Sequence, residues 1–204
     1  MTGPWIVAGV LGVLVVALIA GGLLALATGR MHLDRGWGRS MHELGPLRIR
    51  IEAPRELVYE ILSAPYLGRV KNESIEVLAR GESLVVAAHL TKVHFYDART
   101  VEAVELEPPS RMGFRHLTGP VPYAVEEFRL EAAGEGTELH YGGRLGIDYF
   151  WLGRIAARRW VLPQWNRTVE GHLNEVKPQA ERRAERARQR GSGPGPGGAA
   201  GGRS

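Results

Sequence analysis

Histidine is the side chain best suited to acid–base chemistry near neutral pH, and several histidines of this chain fall on segments with strand periodicity. They are His89, His94, His116 and His140. Zinc binding needs several converging ligands, and the sequence contains neither a His-x-His nor a His-Glu-x-x-His pattern. The chain has no cysteine, which excludes disulfides, thiolate metal sites and cysteine nucleophiles. We therefore assign no catalytic residue, no metal site and no cofactor from motifs.

Strand parity decides which of these histidines can reach a covered face, because successive side chains on a strand point to opposite sides. His116 has the parity of Met112 and Phe114 and is predicted to face inward. There it would orient a ligand or be a hydrogen-bonded core residue. His140 has the parity opposite to that of Tyr141 and is predicted to face solvent.

Aromatic side chains supply the other candidates. A tyrosine hydroxyl inside an apolar pocket can recognise one polar group of a ligand, although packing with the hydroxyl at the rim is the commoner role. Glu126 and Glu127 are neighbours on a strand, so at least one of them faces solvent. The candidate ligand-binding residues are Tyr96, Phe114, His116, Tyr123, Tyr141 and Trp165.

The elements that would position these residues follow from the spacing of apolar side chains. Residues 47–51 alternate as a short strand, and Pro54 begins a helix that continues through Leu62. A second short helix or turn is predicted near residues 65–70. About six further strands are predicted between residues 74 and 149, separated by glycine and proline turns.

One long amphipathic helix follows the strands, with Trp165 beside its apolar stripe. Pro163 is expected to kink this helix or to mark an irregular turn, and beyond Pro178 the helix is predicted to be solvated. The stripe consists of Ile155, Leu162, Val169, Leu173 and Val176. A large antiparallel sheet has one face that such a helix can cover, so the predicted fold class is α+β with an apolar cavity under the helix.

Three segments, in this order, resemble the START-like (SRPBCC) superfamily, the polyketide cyclase/dehydrase and lipid-transport group. IRIEAPRELVYEIL at 49–62 is similar to its opening strand and Ala-Pro helix, LEPPSRM at 106–112 to its Pro-Pro hairpin, and GTEL at 136–139 to its last strand. The resemblance covers roughly residues 47–177. It implies a helix-grip (Bet v1/START-like) fold, in which an antiparallel sheet wraps a long C-terminal helix. Members bind lipids, sterols, isoprenoids or polyketides in a hydrophobic pocket, and only some are enzymes.

An uncharged apolar run covers residues 5–28. As a helix it would span roughly 36 Å, enough to cross a hydrocarbon core of about 30 Å. Arg30, Arg35 and Arg39 follow it, so the positive-inside rule predicts a single-pass anchor in the cell (inner) membrane with the domain on the cytoplasmic side. A cleaved secretory signal is the alternative, which the length of the run and the lack of preceding basic residues disfavour.

An arginine cluster lies on the opening turns of the long helix, where positive charge near a helix N-terminus is unfavourable. Anionic lipid headgroups are the partner that would suit it. Nucleic acid is not expected, because glutamates interleave the C-terminal arginines and no aromatic stacking set accompanies them. The cluster consists of Arg154, Arg158 and Arg159.

The predicted segments are a transmembrane helix at 5–28, a juxtamembrane linker at 29–46, a START-like domain at 47–178, a basic helix extension at 179–190 and a disordered Gly/Pro tail at 191–204. The favoured function is binding of a hydrophobic ligand (lipid, isoprenoid or polyketide-like) in the pocket. One alternative is an interaction protein that docks a partner through the arginine-rich helix, with a filled core and no cavity. The other is a cyclase/dehydratase-type enzyme, which needs a pocket-facing acid–base pair such as His116 with a carboxylate.

Overall fold

The computed structural model describes residues 3–93 and 96–191. A π-helical turn, Ala157–Val161, joins the last two helices. In chain order the helices and strands are α1 (Pro4–Ala27), β1 (Ser40–Ile51), α2 (Arg55–Ser63), β2 (Ile75–Arg80), β3 (Leu84–Val93), β4 (Tyr96–Glu107), β5 (Arg111–Thr118), β6 (Tyr123–Ala133), β7 (Gly136–Ile147), α3 (Phe150–Ala156) and α4 (Leu162–Gly191).

The strands form an antiparallel sheet in the order β1-β7-β6-β5-β4-β3-β2. Strands β2 to β6 each pair with the next strand in the sequence, and β1 pairs with β7 at one edge of the sheet. One face of the sheet is covered by α2 and α4, and the buried residues Val169, Leu173 and Val176 of α4 pack in the same core as Leu139 and Leu145 of β7. This is the helix-grip arrangement that the sequence predicts.

Two of the motifs that carry the resemblance meet in this core. Thr137 at the start of β7 donates a hydrogen bond of 2.7 Å from its buried hydroxyl to the carbonyl oxygen of Ala53. Gly136 is needed beside it, because a Cβ at that position would lie 2.8 Å from the carbonyl oxygen of Ile51. The Ala-Pro and Gly-Thr motifs are therefore two sides of one packing contact.

The start of the domain differs from the predicted boundary. Strand β1 begins at Ser40, inside the predicted linker, because residues 40–44 pair with residues 143–147 of β7. Glycine, histidine and charge hide the strand pattern in this stretch.

Of the two possibilities predicted near residues 65–70, a short helix or a turn, the structure has a turn.

The end of the long helix also differs from the prediction. Helix α4 continues through Pro178 to Gly191, and Ala180 and Ala184 are buried in the core. The stretch predicted to be solvated therefore extends the buried stripe with alanines, which are too weakly apolar to stand out among arginines and glutamates. Beyond Gly191, the predicted Gly/Pro tail lies outside the described residues.

The irregular turn predicted at Pro163 is present. Pro163 lies in the first turn of α4, directly after the π-helical turn. Proline has no N–H, and its ring clashes with the carbonyl one turn earlier. The widened turn before Pro163 accommodates both effects.

Asp148, directly after β7, holds the segment that connects α1 to β1. Its fully buried carboxylate accepts hydrogen bonds from the backbone N–H of Arg35 at 3.0 Å and of Gly36 at 2.9 Å, and from Nε of Arg39 at 2.7 Å. Burial alone would raise the pKa of Asp148, but these donors outweigh it and the net pKa is lowered. An ionised Asp148 therefore fixes residues 35–39 to the domain.

We expect Asp148→Ala to lower the free energy of unfolding at pH 7 by about 2 kcal/mol, because buried donors lose a charged acceptor. Since the pKa of Asp148 is lowered in the folded state, its contribution is complete above the unfolded pKa of about 4 and is lost as the pH falls through the folded pKa. Urea unfolding of the full chain in detergent micelles at pH 7 and pH 3 measures both effects. Asp97→Ala removes an exposed carboxylate and is the control. Equal stability of Asp148→Ala and the parent at pH 7 would contradict the assignment.

Candidate functional site

A cavity of about 790 Å³ lies between the covered face of the sheet and the first half of α4. Strands β2 to β6, the loop before β2, the π-helical turn and Ala27 at the end of α1 contribute to its wall. Cavities of roughly 300 to 1,000 Å³ accommodate small-molecule ligands. Much of the wall is apolar, including Ile75, Phe114, Phe128 and Val169.

The size of inward-pointing side chains explains why the cavity lies at one end of the sheet. On β4, Ala98 and Thr100 line the cavity, whereas Val104 and Leu106 farther along the same face are core residues. The small side chains leave space beneath α4 and the larger ones fill it. Glu102 lies between the two groups on this face and is 5% exposed.

Titratable side chains from adjacent strands meet around Glu102. One carboxylate oxygen lies 2.7 Å from Nε2 of His116, and the other lies 3.4 Å from Nε2 of His89. Both contacts lack the in-line geometry of hydrogen bonds. The side chain of His116 is 2% exposed, and its Nδ1 has no hydrogen-bond partner among the described residues. A buried polar atom without a partner at a cavity wall is a natural contact for a ligand.

Glu126 of β6 reaches the same cavity from the neighbouring strand. Its Oε2 accepts a hydrogen bond of 2.5 Å from the hydroxyl of Tyr141 and one of 3.0 Å from the indole N–H of Trp165. Glu127 points to the outer face, where it pairs with Arg111. One of the two neighbouring glutamates thus faces inward and the other outward, as strand alternation requires.

The two cavity glutamates favour different protonation states. Burial raises the pKa of Glu126 to about 7, and the negative charge of Glu102 adds to the shift. Burial also acts to raise the pKa of Glu102, but contacts with His116 and His89 outweigh it and the net pKa is lowered. Near neutral pH the cavity therefore holds an ionised carboxylate, Glu102, and a second carboxyl, Glu126, that retains its proton more readily. Such a pair can both accept and donate a proton.

Most of the predicted ligand-binding residues lie at this site. Tyr96, Phe114, His116 and Trp165 line the cavity, and Tyr141 reaches it through Glu126.

Tyr123, which was predicted to bind the ligand, does not line the cavity. It has the parity of Glu127 and not of Glu126, so it lies on the outer face, where the guanidinium of Arg39 is 5.8 Å from the ring centre. One residue of parity separates a cavity position from an outer one.

The remaining histidines and glutamates show what sequence reasoning missed. His140 lies on the outer face, 3.6 Å from Glu138, as predicted, and His94 lies outside the described residues. Glu102 and Glu126 were missed, although each shares the parity of apolar core residues on its strand. A carboxyl at a position with the parity of core residues is unusual, and this could have marked both glutamates as cavity residues. In the described part of the chain, no group of three or more His, Asp or Glu side chains could hold a metal ion.

The outer face of the sheet carries a smaller concavity of about 340 Å³. Arg111, Arg115 and Arg144 contribute to its wall, and Arg111 is already paired with Glu105, Glu107 and Glu127. Because its volume is smaller and its charged groups face solvent, this concavity is a weaker ligand site than the cavity under α4.

Solved structures share this architecture. Zhui aromatase/cyclase from Streptomyces sp. R1128 superposes with a TM-score of 0.59 and 22% identity, over 71% of this chain and 95% of that one. The chain has the START-like fold. The di-domain ARO/CYC BexL matches with a TM-score of 0.57 and 18% identity, over 71% of this chain and 50% of that one. Norcoclaurine synthase from Thalictrum flavum gives a TM-score of 0.50 and 11% identity, over 72% and 96%. No family model and no curated protein matches the chain.

Helix α1 lies outside the START-like fold. It is long and apolar enough to cross a membrane, and none of its residues is buried. An N-terminal signal sequence meets the same criterion. The arginines predicted to contact a membrane, Arg154, Arg158 and Arg159, are exposed on α3 and the π-helical turn.

The raised pKa of Glu126 predicts a pH-dependent stability. Unfolding returns the pKa from about 7 to its ordinary value near 4.5, so stability falls as the pH rises between these values. The full shift corresponds to about 3 kcal/mol, and water in the cavity reduces its effect. We expect the stability of Glu126→Gln relative to the parent to be about 2 kcal/mol greater at pH 8 than at pH 5, because the amide cannot ionise.

Urea unfolding of the full chain in detergent micelles at both pH values measures this difference. Glu127→Gln on the outer face is the control, and its stability relative to the parent should not increase with pH. An effect of Glu126→Gln that is the same at pH 5 and pH 8 would contradict the raised pKa.

Proposed function

We propose that this chain is a membrane-anchored START-like domain that binds a hydrophobic ligand carrying a polar group in the cavity under α4. The observation that carries the proposal is a cavity of about 790 Å³ in which apolar walls surround the buried Nδ1 of His116, an atom without a hydrogen-bond partner among the described residues. Lipids, isoprenoids and polyketide-like molecules combine these two properties. The alternative of a docking protein predicts a filled core, and the cavity argues against it.

The polar end of the cavity suggests how a ligand would be oriented. Glu102 beside Nε2 of His116 favours the tautomer with the proton on Nε2, which leaves Nδ1 free to accept a hydrogen bond. Protonated Glu126 can donate one. A ligand hydroxyl or carbonyl would satisfy these groups, while the apolar part lies against Phe114 and Phe128.

The proposed anchor is α1, with the domain on the cytoplasmic side of the inner membrane. The support is the apolar length of α1 and the arginines that follow it. Tethering raises the effective concentration of the cavity near a membrane-dissolved ligand. An anchored binding domain would thus sample the bilayer repeatedly without leaving it.

We expect Ala98→Trp to reduce ligand occupancy by about tenfold or more, because the indole would occupy the cavity where Ala98 leaves space. Native mass spectrometry of the full chain released from detergent micelles measures bound small molecules as discrete added mass. Ala79→Trp, on an exposed position of β2, is the control and should retain the parent's occupancy. A parent chain that carries no added mass and ignores added lipids and isoprenoids would contradict the binding proposal.

Proton transfer on the bound ligand is a second candidate function, and the pairing of His116 with Glu102 opposite a protonated Glu126 favours it. His116 would take a proton from the carbon next to a ligand carbonyl, while Glu126 gives its proton to the carbonyl oxygen to form an enol. Reversal after exchange with solvent would return a solvent hydrogen to the carbon. Solved structures with this fold are named aromatase/cyclases, so the fold is compatible with an enzyme.

Exchange of the α-protons of 1-tetralone in D₂O, followed by NMR, tests this candidate with an apolar ketone. We expect the full chain in micelles to accelerate exchange, and His116→Gln and Glu126→Gln each to reduce the acceleration about a hundredfold. His140→Gln, on the outer face, should leave it unchanged. A parent that exchanges 1-tetralone no faster than buffered micelles would leave binding as the only function of the site.

A further inference from the structure

The segment after β7 exposes large apolar side chains that the rest of the described chain does not cover. The exposed fraction is 60% for Trp151, 57% for Leu152 and 67% for Trp160. Soluble monomers rarely expose apolar groups so close together. We call this set the apolar patch; it consists of Phe150, Trp151, Leu152, Ile155 and Trp160.

The charge on the same segment has one sign. Arg154, Arg158 and Arg159 are exposed between the patch residues, and the sequence from 149 to 169 contains no aspartate or glutamate. None of these arginines forms an ion pair with a described residue. Aromatic rings with long cationic side chains match the chemistry of a bilayer interface, where rings lie at headgroup level and arginines reach phosphates.

The end of α1 is attached to the domain near the cavity. The carbonyl oxygen of Thr28 accepts a hydrogen bond of 3.0 Å from the backbone N–H of Arg99, and Nδ1 of His32 lies 3.0 Å from the carbonyl oxygen of Gly119. Gly29 has a φ of +72°, and a Cβ there would lie 2.0 Å from the carbonyl oxygen of Arg99. Only glycine permits this close approach.

The segment that follows α1 contacts the start of α3, where the apolar patch begins. The backbone N–H of Phe150 donates a hydrogen bond of 3.0 Å to the carbonyl oxygen of Gly38, and the ring of Trp37 packs edge-on against Phe150 at 5.4 Å. Asp148 fixes the intervening residues as described above. The end of α1 and the start of α3 are thus held together through one bonded segment.

The cavity is bordered by the end of α1 and by the π-helical turn. Ala27 at the end of α1, and Trp160 and Val161 of the π-helical turn, line its wall. Because Trp160 belongs both to the cavity wall and to the apolar patch, apolar surface continues from the cavity to the exposed patch.

We infer that α3 and the π-helical turn lie in the interface of the bilayer that α1 spans, with the apolar patch among the acyl chains and the three arginines at the phosphates of anionic lipids. In this orientation the cavity opens onto the membrane and takes its ligand directly from the bilayer. The inference rests on the proposed anchoring by α1. An interfacial helix of this kind inserts its apolar face roughly 5 to 10 Å into the headgroup and acyl boundary.

The absence of cysteine allows a direct test with single nitroxide labels on the full chain. Leu152→Cys reports on the patch and Leu14→Cys on the middle of α1. Glu135→Cys reports on the turn near the C-terminal end of α4, where Arg188 approaches Glu135 to 4.0 Å. A helix with the length of α4 places that end roughly 45 Å from the π-helical turn. The labelled chains are reconstituted in vesicles of phosphatidylcholine and phosphatidylglycerol, and their accessibility to oxygen and to a water-soluble nickel chelate is measured.

We expect the ratio of oxygen to nickel accessibility at position 152 to exceed that at position 135 several-fold. A label at 152 that is as aqueous as that at 135, with the label at 14 inside the bilayer, would overturn the inference and leave the anchoring intact. A label at 14 that is also aqueous would overturn the anchoring itself, and the inference with it.

The role of the arginines is tested by combining Arg154→Ala, Arg158→Ala and Arg159→Ala with the label at 152. We expect the label to move toward water in these anionic vesicles. The matched control combines Arg182→Ala, Arg186→Ala and Arg190→Ala, which remove exposed charge from the far end of α4 and should leave the depth unchanged. An unchanged depth in both triple variants would overturn the arginine contacts with phosphates.

Discussion

Helix α4 packs unevenly against the sheet, and this packing determines where the cavity lies. Large inward side chains such as Val104 and Leu106 fill the space under the helix at one end, while Ala98 and Thr100 leave it open at the other. Close packing at the filled end fixes the helix, because protein interiors tolerate few voids. The helix therefore cannot collapse onto the small residues, and the cavity persists.

The positions of Glu102 and Glu126 in the cavity wall determine their protonation states. Glu102 lies between the small and the large residues of β4, where contacts with His116, His89 and Thr100 stabilise its charge. Glu126 accepts hydrogen bonds from the neutral donors Tyr141 and Trp165, but burial and the nearby charge of Glu102 outweigh them and raise its pKa. In a low-dielectric site this difference in partners is enough to separate the protonation states of two like groups. The packing that buries Glu102 and Glu126 therefore also sets the difference between their pKa values.

The same end of the domain brings together the cavity, the end of α1 and the apolar patch. Asp148 and Gly29 make this possible in different ways, the first by accepting hydrogen bonds from the connecting segment and the second by permitting close backbone approach. A hydrophobic ligand would leave the bilayer most easily where apolar surface is continuous from acyl chains to cavity wall. The arrangement therefore links the proposed anchoring to the proposed binding.

The amino-acid sequence was enough to predict the main order of elements, the α+β class, the START-like resemblance and the inward direction of Phe114 and His116. Periodicity carries this information because side-chain direction is set locally within a strand or helix. It did not identify Glu102 and Glu126 as cavity residues, and it assigned Tyr123 to the wrong face. Pairing across strands decided these points, since a single residue of parity reverses the face and the partners of a buried carboxyl come from other strands. Cavity volume, protonation state and the junction between α1 and α3 likewise depend on contacts between residues distant in sequence, and only the tertiary structure brings those residues together.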